Sequence, residues 1–250
     1  DLFVGRQRAG RVTTLGGPTM GTSWSAHIVD PPAGCAAEIE AVLARIIAQM
    51  SNWEPDSVIS RFNRAPVGTW MPLPADMLTV LRAGLAMARL SDGAFDPAIG
   101  HQVDQWGFGP ALLPRPDAAP TTPPWQAIEI DGDQARRCAP VALDFSGIAK
   151  GFAVDAVTAR LRAMGLANFL IEIGGELRGE GIKPDIQPWW VDVESPPDLT
   201  IPVLRVALSG LSVATSGDYR RYRLEDGHRL SHSIDPATGT PIATGVASVT

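Results

Sequence analysis

Positive charge is in short supply in this sequence: 21 Lys and Arg stand against 27 Asp and Glu, a net charge of −6 over 250 residues. That balance suits a phosphate backbone badly and moves nucleic acid well down the list of partners. Long apolar runs are missing too, and no stretch approaches the ~20 residues that a membrane-spanning helix needs. The opening Asp1-Leu2-Phe3-Val4-Gly5-Arg6 has no basic-then-apolar signal pattern. This fits either a cytoplasmic protein or a mature form whose export segment has gone. Only two cysteines occur, Cys35 and Cys138, too far apart for a zinc knuckle or a redox pair. Both are read as free structural thiols. The four histidines (His27, His101, His228, His232) show no metal-ligand spacing of the H-E-x-x-H kind. No internal repeat is visible.

What is present is a globular composition, 45% hydrophobic and 19% charged, enough for one domain or at most two. Glycine (25) and proline (22) are abundant and predict many turns and irregular connections. Alternation over residues 23–29 puts Trp24, Ala26 and Ile28 on one face of a strand. Ile39, Val42, Leu43, Ile46, Ile47 and Met50 recur at spacings that predict an amphipathic helix over 36–50. A second helix is expected over 75–90 behind Pro74, and a third over 153–164 with Gly165 as its stop. Strands are expected at 168–173, 189–194, 203–208 and 245–249. Five prolines between Pro114 and Pro124 exclude helix interior or central strand there. We read 114–124 as a surface connection and a candidate seam between two sub-lobes of one domain. Interleaved helices and strands without a regular βαβ rhythm point to an α+β fold.

Several short glycine-containing polar clusters interrupt this scaffold. Gly17-Pro18-Thr19-Met20-Gly21-Thr22 is either a plain turn or backbone lying close to a ligand, with Met20 as a soft contact. Trp53, in a turn after the long helix, either packs on the core or offers its flat face to a ring. In Ser91-Asp92-Gly93-Ala94-Phe95-Asp96-Pro97, Gly93 permits close backbone approach. Pro97 holds Asp96 extended, a pose that presents a carboxylate, although a simple helix exit would look similar. The segment from Leu143 to Asp155, Leu-Asp-Phe-Ser-Gly-Ile-Ala-Lys-Gly-Phe-Ala-Val-Asp, opens the third helix. Helix N-terminal amides favour an anion, and Lys150 adds a full positive charge. The Walker pattern is absent, and Lys150 could equally be solvated. Gly174-Gly175-Glu176 suits a tight turn. Finally, His232 and Asp235 stand three apart at a strand end, within His232-Ser233-Ile234-Asp235-Pro236-Ala237-Thr238-Gly239.

In this order these segments resemble the ApbE family, the FAD:protein FMN transferases. The resemblance runs from Pro18-Thr19-Met20-Gly21-Thr22 to Gly245-Val246-Ala247-Ser248-Val249-Thr250. Its most specific markers are Gly93-Ala94-Phe95-Asp96-Pro97, the Asp144–Asp155 segment, Ser216-Gly217-Asp218-Tyr219 and the His232–Gly239 segment. It implies an α+β fold of mixed, largely antiparallel sheets with packed helices. It also implies Mg²⁺-dependent transfer of FMN from FAD to a Thr or Ser hydroxyl of a partner flavoprotein, with AMP released. Met20, Trp53, Ala94, Phe95, Asp96, Asp144, Lys150 and Ile234 match FAD contacts, and Gly147 matches a position that offers Mg²⁺ its backbone carbonyl. Family members serve membrane redox complexes and are commonly exported. That implies a periplasmic or membrane-anchored site of action, with the cytoplasm as the alternative.

The family pattern continues past Thr250 into a helix whose Asp and Thr supply the metal's side-chain ligands. We therefore expect a domain truncated at its C-terminus that holds Mg²⁺ poorly, since a hard cation wants carboxylate oxygen. His232 is the expected general base, with Asp235 either orienting it or facing the metal. Two rival readings use the same residues: hydrolysis of FAD to FMN and AMP, and non-catalytic FAD binding.

Overall fold

The computed structural model describes residues 10–115, 124–197, 199–243 and 245–250. The elements, in chain order, begin with β1 (Val12–Thr19), β2 (Thr22–Val29), α1 (Cys35–Met50), α2 (Val58–Arg64), β3 (Met71–Pro72), α3 (Ala75–Leu90) and α4 (Gly100–Gln105). Next come β4 (Ile128–Asp131), β5 (Gln134–Arg137), α5 (Ala149–Ala163), β6 (Phe169–Ile173), β7 (Glu176–Glu180), β8 (Trp189–Val193), β9 (Leu204–Leu208) and β10 (Leu211–Val213). The last are β11 (Ser216–Gly217), β12 (Tyr222–Glu225), β13 (His228–Ser231), β14 (Ile234–Asp235), β15 (Thr240–Pro241) and β16 (Ser248–Val249). The strand pairs are antiparallel in every sheet from β1 to β10, as in the hairpins β12–β13 and β14–β15. Helices and antiparallel strands together make the α+β class.

The chain forms two compact units, both discontinuous in sequence. The first takes residues up to Ala44 with Lys150–Ser216 and Ser248–Thr250; the second takes Arg45–Ala149 and Gly217–Ala247. Most of the expected seam at 114–124 lies outside the described residues.

A five-stranded sheet in the order β1-β2-β6-β7-β10 forms the first unit's frame. The period of two decides its faces. Trp24, Ala26 and Ile28 of β2 stand opposite Ile173, Ile171 and Phe169 of β6, and all six are buried. Val154, Val157 and Leu161 form the buried stripe of α5. Glu38 of α1 and Arg160 of α5 are joined by a two-pronged ion pair. Burying one Leu, Ile or Phe side chain stabilises by roughly 1.5–3 kcal/mol, so these two faces supply the unit's main driving force.

The second unit is built on α2, α3, α4 and the small sheet β3-β5-β4. Leu78, Leu81, Leu85 and Ala88 of α3 are buried, the stripe that the sequence predicts. Phe62, Leu143 and Phe145 are among its largest buried apolar groups, with Ile46, Ile59 and Met77.

Three local readings change. The strand before Met20 starts at Val12, so Gly17-Pro18-Thr19 is sheet and not turn. Pro18 is tolerated because β1 is the sheet's edge strand. The third helix begins at Ala149, four residues before the apolar period becomes visible in sequence. At the C-terminal end, strand geometry is confined to Ser248–Val249.

Candidate functional site

In the first unit, the site is made by two neighbouring hairpin tips and the start of α5. Strand pairing Thr19↔Thr22 leaves Met20-Gly21 as a two-residue turn, with φ of 48° and 69°. Both angles positive is the turn that matches strand twist, and Met20 tolerates it only at some cost. The second tip is Gly174-Gly175, between β6 and β7, with φ of 55° and 92°. The tips are tied together because Gly174 N–H donates to Ser23 O at 3.0 Å. Lys150 reaches the same tip, donating from Nζ to Gly174 O and to Glu176 Oε1, each at 3.0 Å. Met20 and Lys150, far apart in sequence, thus belong to one locality.

In the second unit, the backbone around Phe95 and Asp144 is braced from several sides. Asp92 and Gly93 turn the chain sharply after α3, with φ of 51° and 83°. Asp96 is 4% exposed, and its carboxylate accepts from Ala98 N at 2.7 Å and from Trp125 N at 3.0 Å. Burial pushes its acid strength down, raising its pKa, while the two amide donors partly offset that. Asp96 therefore holds the loop that carries exposed Ala94 and half-buried Phe95. Asp144 N donates to Pro97 O at 2.9 Å, and a Cβ placed on Gly147 would sit 3.3 Å from the Phe95 ring. Phe95, Asp144 and Gly147 are therefore neighbours. Trp53 is 61% exposed, so the turn offers its ring to solvent and not to the core.

The segment from His232 to Gly239 belongs to this unit as well. His232 Nδ1 lies 2.9 Å from Arg221 O. A carbonyl only accepts, so Nδ1 carries the proton and Nε2 of the neutral ring holds a lone pair, the tautomer a base requires. The Phe108 ring stands edge-on to this imidazole at 6.3 Å. Ile234 is buried. Asp235 accepts from Ala237 N at 2.9 Å and Thr238 Oγ1 at 3.1 Å, closing its own turn. Trp106 Nε1 donates to Gly239 O at 2.7 Å and pins the end of the segment.

Sequence reasoning missed the residues that brace the site. Asn63 bonds Leu143 through both N (2.7 Å) and O (2.9 Å), and Asn52 adds a further donor to Leu143 O at 3.1 Å. Asp104 is another: burial raises its pKa, Ala111 N–H lowers it, the Asp144 charge raises it and His101 lowers it. No spacing in the chain marks these partners; Asn52, beside Trp53, and Glu176 sit inside clusters that the sequence singles out, whereas Asn63 and Asp104 do not.

As for a metal, the Asp96 carboxylate is engaged by Ala98 N and Trp125 N, Asp235 by its own turn, and Asp144 Oδ1 accepts from Ser146 N at 2.7 Å. Among the described residues, no three His, Cys, Asp or Glu side chains gather as a ligand set. The Gly147 carbonyl with these groups alone does not complete a shell for a hard dication.

Comparison with known proteins settles the family. The ApbE family profile matches residues 20–250. The chain belongs to the ApbE family. A Vibrio cholerae FAD:protein FMN transferase is 36% identical over 100% of this chain and 79% of its own length. The Haemophilus influenzae protein of that description is 35% identical, covering 98% of this chain and 77% of its own. The apo crystal structure of the Pseudomonas stutzeri flavinyl transferase ApbE superposes with a TM-score of 0.84 at 37% identity, covering 96% of this chain and 78% of that one. The mixed helical and antiparallel architecture is that of ApbE flavin transferases.

Proposed function

We propose that this chain, acting as one domain, transfers the FMN half of FAD to a Thr or Ser hydroxyl of a partner flavoprotein. The observation that carries this is the likeness, along 100% of the chain, to a protein described as an FAD:protein FMN transferase. The acceptor oxygen attacks the FMN phosphorus, the bond from that phosphorus to the bridging oxygen breaks, and AMP leaves with that oxygen. Nε2 of His232 takes the hydroxyl proton, its lone pair set by the Nδ1 contact with Arg221 O. Met20, Trp53, Ala94, Phe95, Asp144, Lys150 and Ile234 contact FAD. Asp96 serves by holding the Ala94–Phe95 backbone, and Asp235 by shaping the turn after His232. Lys150 offsets pyrophosphate charge, and the start of α5 favours the same anion. Where Mg²⁺ takes part, the Gly147 carbonyl would offer it one oxygen, and the ion would offset phosphate charge beside Lys150. The acceptor belongs to a membrane redox complex, and the enzyme works in the periplasm or at a membrane anchor. No helix among the described residues is long and apolar enough to cross a membrane.

The test is to incubate the protein with FAD, Mg²⁺ and a candidate acceptor and to weigh the acceptor. A mass gain of one FMN together with AMP release is expected. AMP without that gain would mean FAD hydrolysis, and bound FAD without AMP would mean a flavin-binding protein only. Omitting Mg²⁺ should abolish the transfer.

A further inference from the structure

Lys150 does not stand alone at the start of α5. Two of its three ammonium N–H directions are already fixed, by Gly174 O and Glu176 Oε1, both at 3.0 Å. Glu176 is the more enclosed partner, its side chain 14% exposed against 32% for Lys150. The lysine stem is held as well as the head. A Cβ built on Gly174 would meet Lys150 Cδ at 3.0 Å and Thr22 Cγ2 at 2.8 Å, so stem, turn and β2 are in contact. The turn itself is braced: Gly175 N donates to Glu172 Oε1 at 2.6 Å, and Ser25 Oγ donates to Glu172 Oε2 at 3.4 Å.

We propose that Glu176 is a positioning residue for flavin transfer: with the Gly174 carbonyl it fixes the Lys150 ammonium so that its remaining N–H serves the FAD pyrophosphate. This rests on the reading of Lys150 as an FAD contact. The alternative role, a carboxylate acting only through its charge, has the opposite sign. A negative group beside a phosphate site repels the ligand, so deleting it would tighten FAD binding. Under positioning, deletion weakens binding, because a four-carbon side chain then loses its rotamer freedom only when FAD arrives. Glutamine separates the two roles further, since it keeps an acceptor oxygen and drops the charge.

The experiment titrates FAD into the full chain, following flavin fluorescence, for wild type, Glu176→Ala, Glu176→Gln, Lys150→Ala and the Lys150→Ala/Glu176→Ala double variant. Glu176→Ala should bind FAD about tenfold more weakly, Glu176→Gln should stay within about threefold of wild type or bind tighter, and Glu176→Ala should add nothing once Lys150 is gone. Equal or tighter binding by Glu176→Ala overturns the proposal, as does an effect that persists undiminished in the Lys150→Ala background. Should Lys150→Ala itself bind FAD like wild type, the reading of Lys150 fails and this proposal with it. Should Lys150→Ala weaken binding while Glu176→Ala does not, the reading stands and the proposal alone falls. Glu176→Gln, which keeps the hydrogen bond, guards against a variant that merely folds badly.

Discussion

His232 and Asp96 do opposite work at the scale of single residues. His232 Nδ1 faces a backbone carbonyl, which places the proton of a neutral ring on Nδ1 and makes Nε2 its basic nitrogen. His232→Gln should therefore lower FMN transfer by roughly 10²–10⁴-fold while leaving FAD affinity near wild type. A matched loss of affinity and rate would make His232 a binding residue. Asp96 is buried and committed to two amides. Asp96→Asn puts an amide donor against one of those N–H groups and should cost about 1–3 kcal/mol, read from denaturant unfolding. The pH dependence has a definite sign. Burial raises the folded pKa of Asp96 above the ordinary 3.8, so between that value and the raised one the native state holds more protons than the unfolded state. The Asp96 contribution is thus most favourable at low pH and declines as pH rises through that window. The stability of wild type relative to Asp96→Asn should fall across the same interval. A difference that grows with pH instead would mean that the amide donors outweigh burial.

At the scale of elements, the decisive objects are turns and the residues that brace them. The loop before α5 is fixed by Asn63, which satisfies both backbone groups of fully buried Leu143. Asn63→Ala leaves Leu143 N–H without that acceptor and should destabilise by about 1–3 kcal/mol. Because Asp144 is the next residue, FAD affinity should fall together with stability, and titration beside thermal unfolding checks both. Unchanged affinity in a destabilised protein would confine Asn63 to folding. Much of this level was legible beforehand. The helix from Cys35 to Met50 and the strand from Thr22 to Val29 carry their period in their own side chains. The early start of α5 was not, because Ala149-Lys150-Gly151-Phe152 shows no apolar period and depends on its surroundings for helix formation.

For the whole molecule, the second unit is assembled from Arg45–Ala149 and Gly217–Ala247, two segments separated by a large insertion. Trp106 donates to Gly239 and Arg115 grips Glu225 with both guanidinium arms, so each segment is anchored on the other. A fragment of residues 45–149 should consequently show no cooperative thermal transition, whereas the intact chain should. A sharp transition for the fragment would show that its helices alone suffice. The sequence by itself determined the order of motifs, the family they resemble and the elements with a strong period, because these are properties of neighbours along the chain. Tertiary structure decided which groups meet: Lys150 with Glu176 across 26 residues, Asp96 with Trp125 across 29, Asn63 with Leu143 across 80. A hydrogen bond between such partners leaves no spacing to read. Polar groups of the right type occur throughout the chain, and only closure of the buried core selects which of them must pair once water is excluded.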